Sequence, residues 1–231
     1  MKTPCSITTP SPRFLLLGDS HAGVIGNAAK VRGVPCGGGP LGAGRDFATD
    51  FFRLAPGDIM FREAEMDRLY RQALAEANAP ALGELDVPLV STVGLSLHFL
   101  ATAHNWLCYQ GPDGEFDPGF LDGTLFAALM ATVSAPALAF YEQALALELR
   151  VLAVLPPQRV PDTADPRVFM AAQRWLIDRL QGLGVEVIDV RAAANDDSGL
   201  QHPNFCEAND PLHGNQAFGD LIVERLLQAG L

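Results

Sequence analysis

Positive charge is scarce in this sequence: Lys and Arg number 16 against 27 Asp and Glu, a formal net charge of -11 at pH 7 over 231 residues. A surface of that sign repels phosphate backbones and anionic lipid heads, which argues against nucleic acid and acidic membranes as partners. Cysteine is sparse too. The four present (Cys5, Cys36, Cys108, Cys206) form no Cys-x-x-Cys pair, which argues against a zinc knuckle, a redox dithiol or a disulfide framework and leaves four reduced thiols. The polar start from Met1 to Ser11 and the short apolar run Phe14 to Leu17 fall far short of a signal h-region or a membrane span, so the chain reads as cytoplasmic. There is no internal repeat, low-complexity tract or Ser/Gly linker, so residues 1–231 read as one domain. A Gly-x-x-x-x-Gly-Lys-[Ser/Thr] phosphate loop and a Gly-x-Ser-x-Gly elbow are both absent, which removes the P-loop and argues against the α/β-hydrolase arrangement.

What is there is an alternation of short apolar runs with helix-period segments, as in a parallel sheet covered by helices. Phe14 to Leu17 ends in Gly-Asp-Ser, Val87 to Val93 in Gly94, Val151 to Leu155 in Pro-Pro, and Val185 to Val190 in Arg191. Val34 closes a fifth, shorter strand before a glycine cluster. Helices are expected over 21–31, 60–78, 123–149 (continuous or broken at Pro136), 166–182 and 215–229. Asp165-Pro166 and Asn215 serve as starts, and Gly182 or Gly184 as a stop. The fold class is therefore α/β, a three-layer α/β/α sandwich with a parallel sheet of about five strands. Ligands of such sheets bind at the carboxyl ends of the strands. The segment 99–123, with Trp106, Tyr109, Phe116 and Phe120 among Gly, Pro and Asp, reads either as a lid or substrate wall or as an excursion that extends the core.

Two short stretches carry chemistry. Gly18-Asp19-Ser20-His21 lies directly after the first strand and before the first helix. A serine there has its hydroxyl lifted from the sheet and the positive end of the helix dipole beside any anion that forms; the plainer alternative is an N-cap. Asp210-Pro-Leu-His213 lies just before the last helix. An imidazole and a carboxylate three residues apart can serve as a base and the acceptor that fixes its tautomer, or as an Asx-turn and a surface histidine.

Taken together, these stretches resemble the first and last blocks of the GDSL-type, or SGNH, hydrolases, and Val151 to Pro157 resembles that family's fourth strand. The resemblance spans nearly the whole chain. It implies a flavodoxin-like fold, ester hydrolysis without a cofactor or metal, Ser20 as nucleophile, His213 as base and Asp210 as its orienting acid. It also implies an oxyanion hole of Ser20, a glycine from 37–44 (Gly42 rather than Gly39) and a side-chain donor after the third strand. There the chain departs from the family, because Gly94-Leu95-Ser96-Leu97 puts Ser96 where an asparagine is expected. Loss of one such donor is worth on the order of 3 kcal/mol. Ser96 itself, His98 or Asn105 are the available replacements. His21, at the first turn of a helix, is expected to be neutral and structural.

The expected substrate is a small-molecule ester with a short acyl group on a sugar or small alcohol, with His98, Asn105 and Trp106 as candidate binding residues. The alternatives are an acyltransferase on the same triad and a noncatalytic carbohydrate- or ester-binding module. A metal set of His202, Cys206, Asp210 and His213 lacks a regular frame because Pro203 and Pro211 interrupt it. Gly37-x-Gly39-x-x-Gly42 fits a dinucleotide loop only formally, since a clear strand does not precede it. Cys36 and Cys206 lack the activating helix start that Ser20 has. Apolar helix faces are compatible with burial or with a homo-oligomer.

Overall fold

The computed structural model describes residues 11–231, so Cys5 lies outside the described residues. In chain order the elements are β1 (Leu15–Gly18), α1 (His21–Val31), β2 (Gly37–Pro40), β3 (Phe52–Ala55), β4 (Asp58–Phe61), α2 (Ala64–Glu76), β5 (Leu89–Ser91), α3 (Thr124–Ala146), β6 (Val151–Val154), α4 (Pro166–Leu183), β7 (Glu186–Ile188), α5 (Arg191–Ala194) and α6 (Gln216–Gln228). Five strands form one parallel sheet in the order β2-β1-β5-β6-β7. The order reverses beside β1, and ligands of open α/β sheets bind at the carboxyl ends of the strands beside such a reversal.

Alternation along the strands sorts the core into two layers. Leu15, Leu17, Leu89, Val151 and Ala153 pack with Tyr70 of α2, Phe140 and Tyr141 of α3 and Phe169 of α4. Leu16, Val90, Leu152 and Val154 pack on the opposite face with Ile25 of α1 and Ile222 of α6. The helix starts are built as the residues suggest. Asp165 accepts from the N–H groups of Arg167 and Val168 at 2.9 and 3.4 Å, and Asn215 accepts from Phe218 at 3.3 Å. Gly184, at φ 97°, terminates α4.

Three expectations need correction, and one alternative left open is decided. The fifth strand is the glycine run 37–40, not a strand ending at Val34. Gly38 sits at φ 80°, and a Cβ there would fall 2.3 Å from the Leu16 carbonyl oxygen, so only glycine lets β2 pair with β1. The glycines 37 and 39 therefore belong to a strand rather than a phosphate loop. The helix expected from residue 60 begins at Ala64, because 52–61 is an antiparallel hairpin closed at Pro56-Gly57. Its Gly57, at φ 68°, supplies the left-handed position that such a turn requires. α3 runs through Pro136 as one helix; it is the one helix among the described residues long and apolar enough to cross a membrane, and its Phe126, Met130 and Phe140 side is in the core.

The third correction concerns Trp106, in the segment 99–123. Trp106 is 6% exposed, its ring lies 5.5 Å from Phe126 and 5.8 Å from Tyr109, and its Nε1–H donates to the Leu100 carbonyl at 2.7 Å. Phe120 stacks on Tyr109 at 4.8 Å and on Phe116 at 5.4 Å. The segment is sewn to the start of α4 by Asp165 N–H to Ala101 O at 2.7 Å and Arg167 to Glu115 at 2.8 Å. Trp106 thus anchors an extension of the core and is not placed to stack on a ligand.

Candidate active site

The turn after β1 is held from beneath by a buried carboxylate. Asp19 is fully buried; its Oδ1 accepts from the Thr92 hydroxyl at 2.9 Å and from the His21 N–H at 3.0 Å, and its Oδ2 accepts from the Ser96 hydroxyl. The Thr92 oxygen in turn accepts from the Asp19 N–H at 3.1 Å, and the Gly18 carbonyl accepts from Leu41 N–H at 2.7 Å. With Asp19 pointing inward, Ser20 is turned out to solvent at the start of α1. It occupies the N-cap position, yet its side chain makes no capping hydrogen bond. The hydroxyl instead meets His213 Nε2 at 2.7 Å.

The second half of the site is one tight turn. Asp210 Oδ1 accepts from the N–H groups of Leu212 and His213 at 2.7 and 2.8 Å, and Oδ2 contacts His213 Nδ1 at 2.7 Å. The same carboxylate therefore makes the Asx-type turn with one oxygen and orients the imidazole with the other. Burial disfavours its charge, but the two backbone N–H groups and the imidazole outweigh that and bring Asp210 down to about 2. His21 packs its ring 5.0 Å from that of His213. Burial pushes His21 below the usual imidazole range, against the pull of Asp19 and with the help of His213 and His98, so it is a neutral wall. His98 is half-buried on the loop after β5 and is lowered by burial and by His213 against Asp19.

The remaining expected residues are divided by the fold. Among the described residues, the Ser20 N–H and the Gly42 N–H have no hydrogen-bond acceptor, whereas the neighbouring Ala43 N–H is spent on Asp46 at 2.8 Å. Ser96 is buried and its hydroxyl is committed to Asp19, so it offers no side-chain donor to Ser20. Asn105 is exposed on a 3-10 turn spanning Ala103–Tyr109, with its N–H on Thr102 O, and no contact brings it to Ser20. His202 Nδ1 takes the Asn204 N–H and Cys206 Sγ faces the carbonyls of Gln201 and His202, so neither turns toward His213. Sequence reasoning missed Thr92 and the inward role of Asp19, because their partners are 73 and 77 residues away.

Ser96 cannot simply be restored to asparagine. A Cβ at Gly44 would lie 2.5 Å from Ser96 Cβ, so the loop after β2 is already packed on this side chain. Ser96→Asn is expected to raise no activity and to destabilise by about 1–3 kcal/mol through overpacking, read from urea unfolding; a gain in turnover at unchanged stability would contradict this.

No family model and no curated protein matches the sequence. Solved structures do match in fold. A G-D-S-L family protein from Desulfitobacterium hafniense shares 10% identity at a TM-score of 0.54, over 94% of this chain and 98% of that one. A GDSL-like lipase from Bacteroides thetaiotaomicron shares 12% at 0.52, over 94% and 86%. Phospholipase A1 from Streptomyces albidoflavus shares 11% at 0.50, over 96% and 100%. With its five-stranded parallel sheet and Ser20 at the carboxyl end of β1, the chain has the fold of the GDSL-type, or SGNH, hydrolases.

Proposed function

We propose that this protein is a serine esterase acting on short acyl esters of a sugar or small alcohol. One observation carries the reading: Asp210, His213 and Ser20 form a continuous relay with 2.7 Å at each side-chain contact. In the mechanism, Ser20 Oγ attacks the acyl carbonyl carbon while His213 Nε2 takes its proton. The oxyanion is held by the N–H groups of Ser20 and Gly42, with the N-terminus of α1 adding a positive dipole end. Collapse of the tetrahedral intermediate expels the alcohol, which leaves with the proton from His213, and the acyl group stays on Ser20. Water then gives a proton to His213 and attacks the acyl carbon, and the acid departs as Ser20 regains its proton. His98, on the same loop as Ser96, is the remaining candidate for a third donor. His213 and His21 beside Ser20 are polar, which suits a short acyl group.

The commitment of Ser96 to Asp19 favours one other reading, a binding module that keeps the fold without the rate. Intact-protein mass after treatment with a fluorophosphonate separates the two. The esterase gives a single adduct that vanishes in Ser20→Ala; a folded wild type without an adduct leaves the binding module. An acyltransferase on the same triad would label as the esterase does, and would divert product to an added alcohol.

A further inference from the structure

The acid and the base sit on a segment with little to hold it. From Glu207 to His213 the side chains are exposed or half-buried, and none is in the core. Its internal bonds, such as Glu207 N–H to His213 O at 3.0 Å, fix its shape but not its position relative to Ser20. Among the described residues, hydrogen bonds reach 207–213 from outside at two places. One is Ser20 Oγ itself. The other is Arg159, whose Nη1 donates to the His213 carbonyl at 2.7 Å and to the Glu207 carbonyl at 3.2 Å.

Arg159 is itself anchored. It follows β6 through the buried run Leu155 to Gln158, and Gln158 is fixed by Asn195 Nδ2 on its side-chain oxygen at 2.9 Å and by the Gln201 N–H on its carbonyl at 3.0 Å. Among the described residues, no carboxylate pairs with its guanidinium, so the charge is spent on two carbonyls of the loop that carries the base. We propose that Arg159 is a positioning residue that latches the Glu207–His213 segment to the end of β6 and so holds His213 Nε2 in reach of Ser20. The role rests on the esterase reading. It follows from the rigid-frame requirement that a reacting pair be held in place: a displacement of about 1 Å costs on the order of a hundredfold in rate.

The test uses Arg159→Ala and Arg159→Lys in the full chain, with p-nitrophenyl acetate turnover, Ser20 labelling by a fluorophosphonate, and amide exchange of 207–213. The expected result for Arg159→Ala is a kcat lower by about 10- to 100-fold with KM little changed, labelling slowed to match, and faster exchange confined to 207–213. Guanidinium ion at low millimolar concentration should restore part of kcat saturably, since Arg159 lines a groove of about 330 Å³ with Gln158, Gln201 and Pro211 that admits the small cation. Arg159→Lys should fall between wild type and Arg159→Ala, and it carries the comparison if the alanine variant unfolds. Wild-type kcat and exchange in both variants would overturn the latch. So would a loss of kcat with unchanged exchange and no rescue. A wild type without Ser20-dependent turnover would sink the esterase reading instead, and the exchange of 207–213 would still decide the latch.

Discussion

Ser20→Ala is expected to lower kcat/KM for p-nitrophenyl acetate by about 10⁴- to 10⁶-fold, and His213→Ala by a similar factor, with the double variant no worse than either single. The reason is that the two act as one unit: an alkoxide does not form without the base, and the base has nothing to deprotonate without the hydroxyl. Asp210→Asn separates orientation from charge. Asparagine can still accept the Leu212 and His213 N–H groups with its oxygen, but it presents an NH₂ to His213 Nδ1, which fixes the wrong tautomer and costs about 10⁴-fold. Near-wild-type rates in Ser20→Ala would remove the serine mechanism altogether.

The same carboxylate carries a pH signature in stability. Burial opposes its charge, and the backbone N–H groups and imidazole overcome this to hold Asp210 at about 2, below the ordinary carboxylate value. A group lowered on folding stabilises above its unfolded value and loses that contribution as pH falls through the folded one. The melting-temperature advantage of wild type over Asp210→Asn should therefore be constant above about pH 5 and shrink toward pH 2. An advantage that grew on acidification would contradict the assignment of the bonds at Asp210.

Gly18→Ala is expected to destabilise the fold by about 3 kcal/mol and to remove Ser20 labelling with it, measured by denaturant unfolding and adduct formation on the same samples. A Cβ at this position would lie 2.0 Å from Thr92 Oγ1 and 3.1 Å from Thr92 N, so the overlap falls partly on backbone that cannot swing away. Thr92 cannot yield its hydroxyl cheaply either, since that oxygen serves both the N–H and the carboxylate of Asp19. Thr92→Ala should also destabilise, by leaving the buried Asp19 N–H unpaired and its Oδ1 with the His21 N–H alone. The double variant should cost less than the two singles summed, because the second change removes the atom the first collides with. Strict additivity would show that the two residues do not meet as described.

Much of the fold was legible in the residues. The apolar runs at 14–17 and 151–155 become β1 and β6, Asp165 and Asn215 cap the helices they precede, and Gly184 ends α4. These features are local: strand alternation, a side-chain oxygen facing a free N–H, a left-handed residue at a helix end. The candidate serine and histidine were legible for the same reason, since a serine at a strand-to-helix turn and an Asp-x-x-His turn each announce themselves within a few residues.

What lay between them was decided by tertiary structure alone. β2 is a strand because Gly38 can approach Leu16, which no propensity of Gly-Gly-Gly-Pro suggests. The helix expected from residue 60 starts at Ala64 because Phe52–Ala55 pairs with Asp58–Phe61, a pairing that the apolar periodicity of 60–78 does not show. Trp106 is a core residue because Phe120 and Phe126 fold over it. Ser96 is no oxyanion donor because Asp19, 77 residues earlier, takes its hydroxyl. Ser20 meets His213 across 193 residues. Local chemistry thus determined which groups this protein carries; their pairing was left to the packing of the sheet, since only contacts between distant segments can assign a hydroxyl, an N–H or a guanidinium to one partner among several.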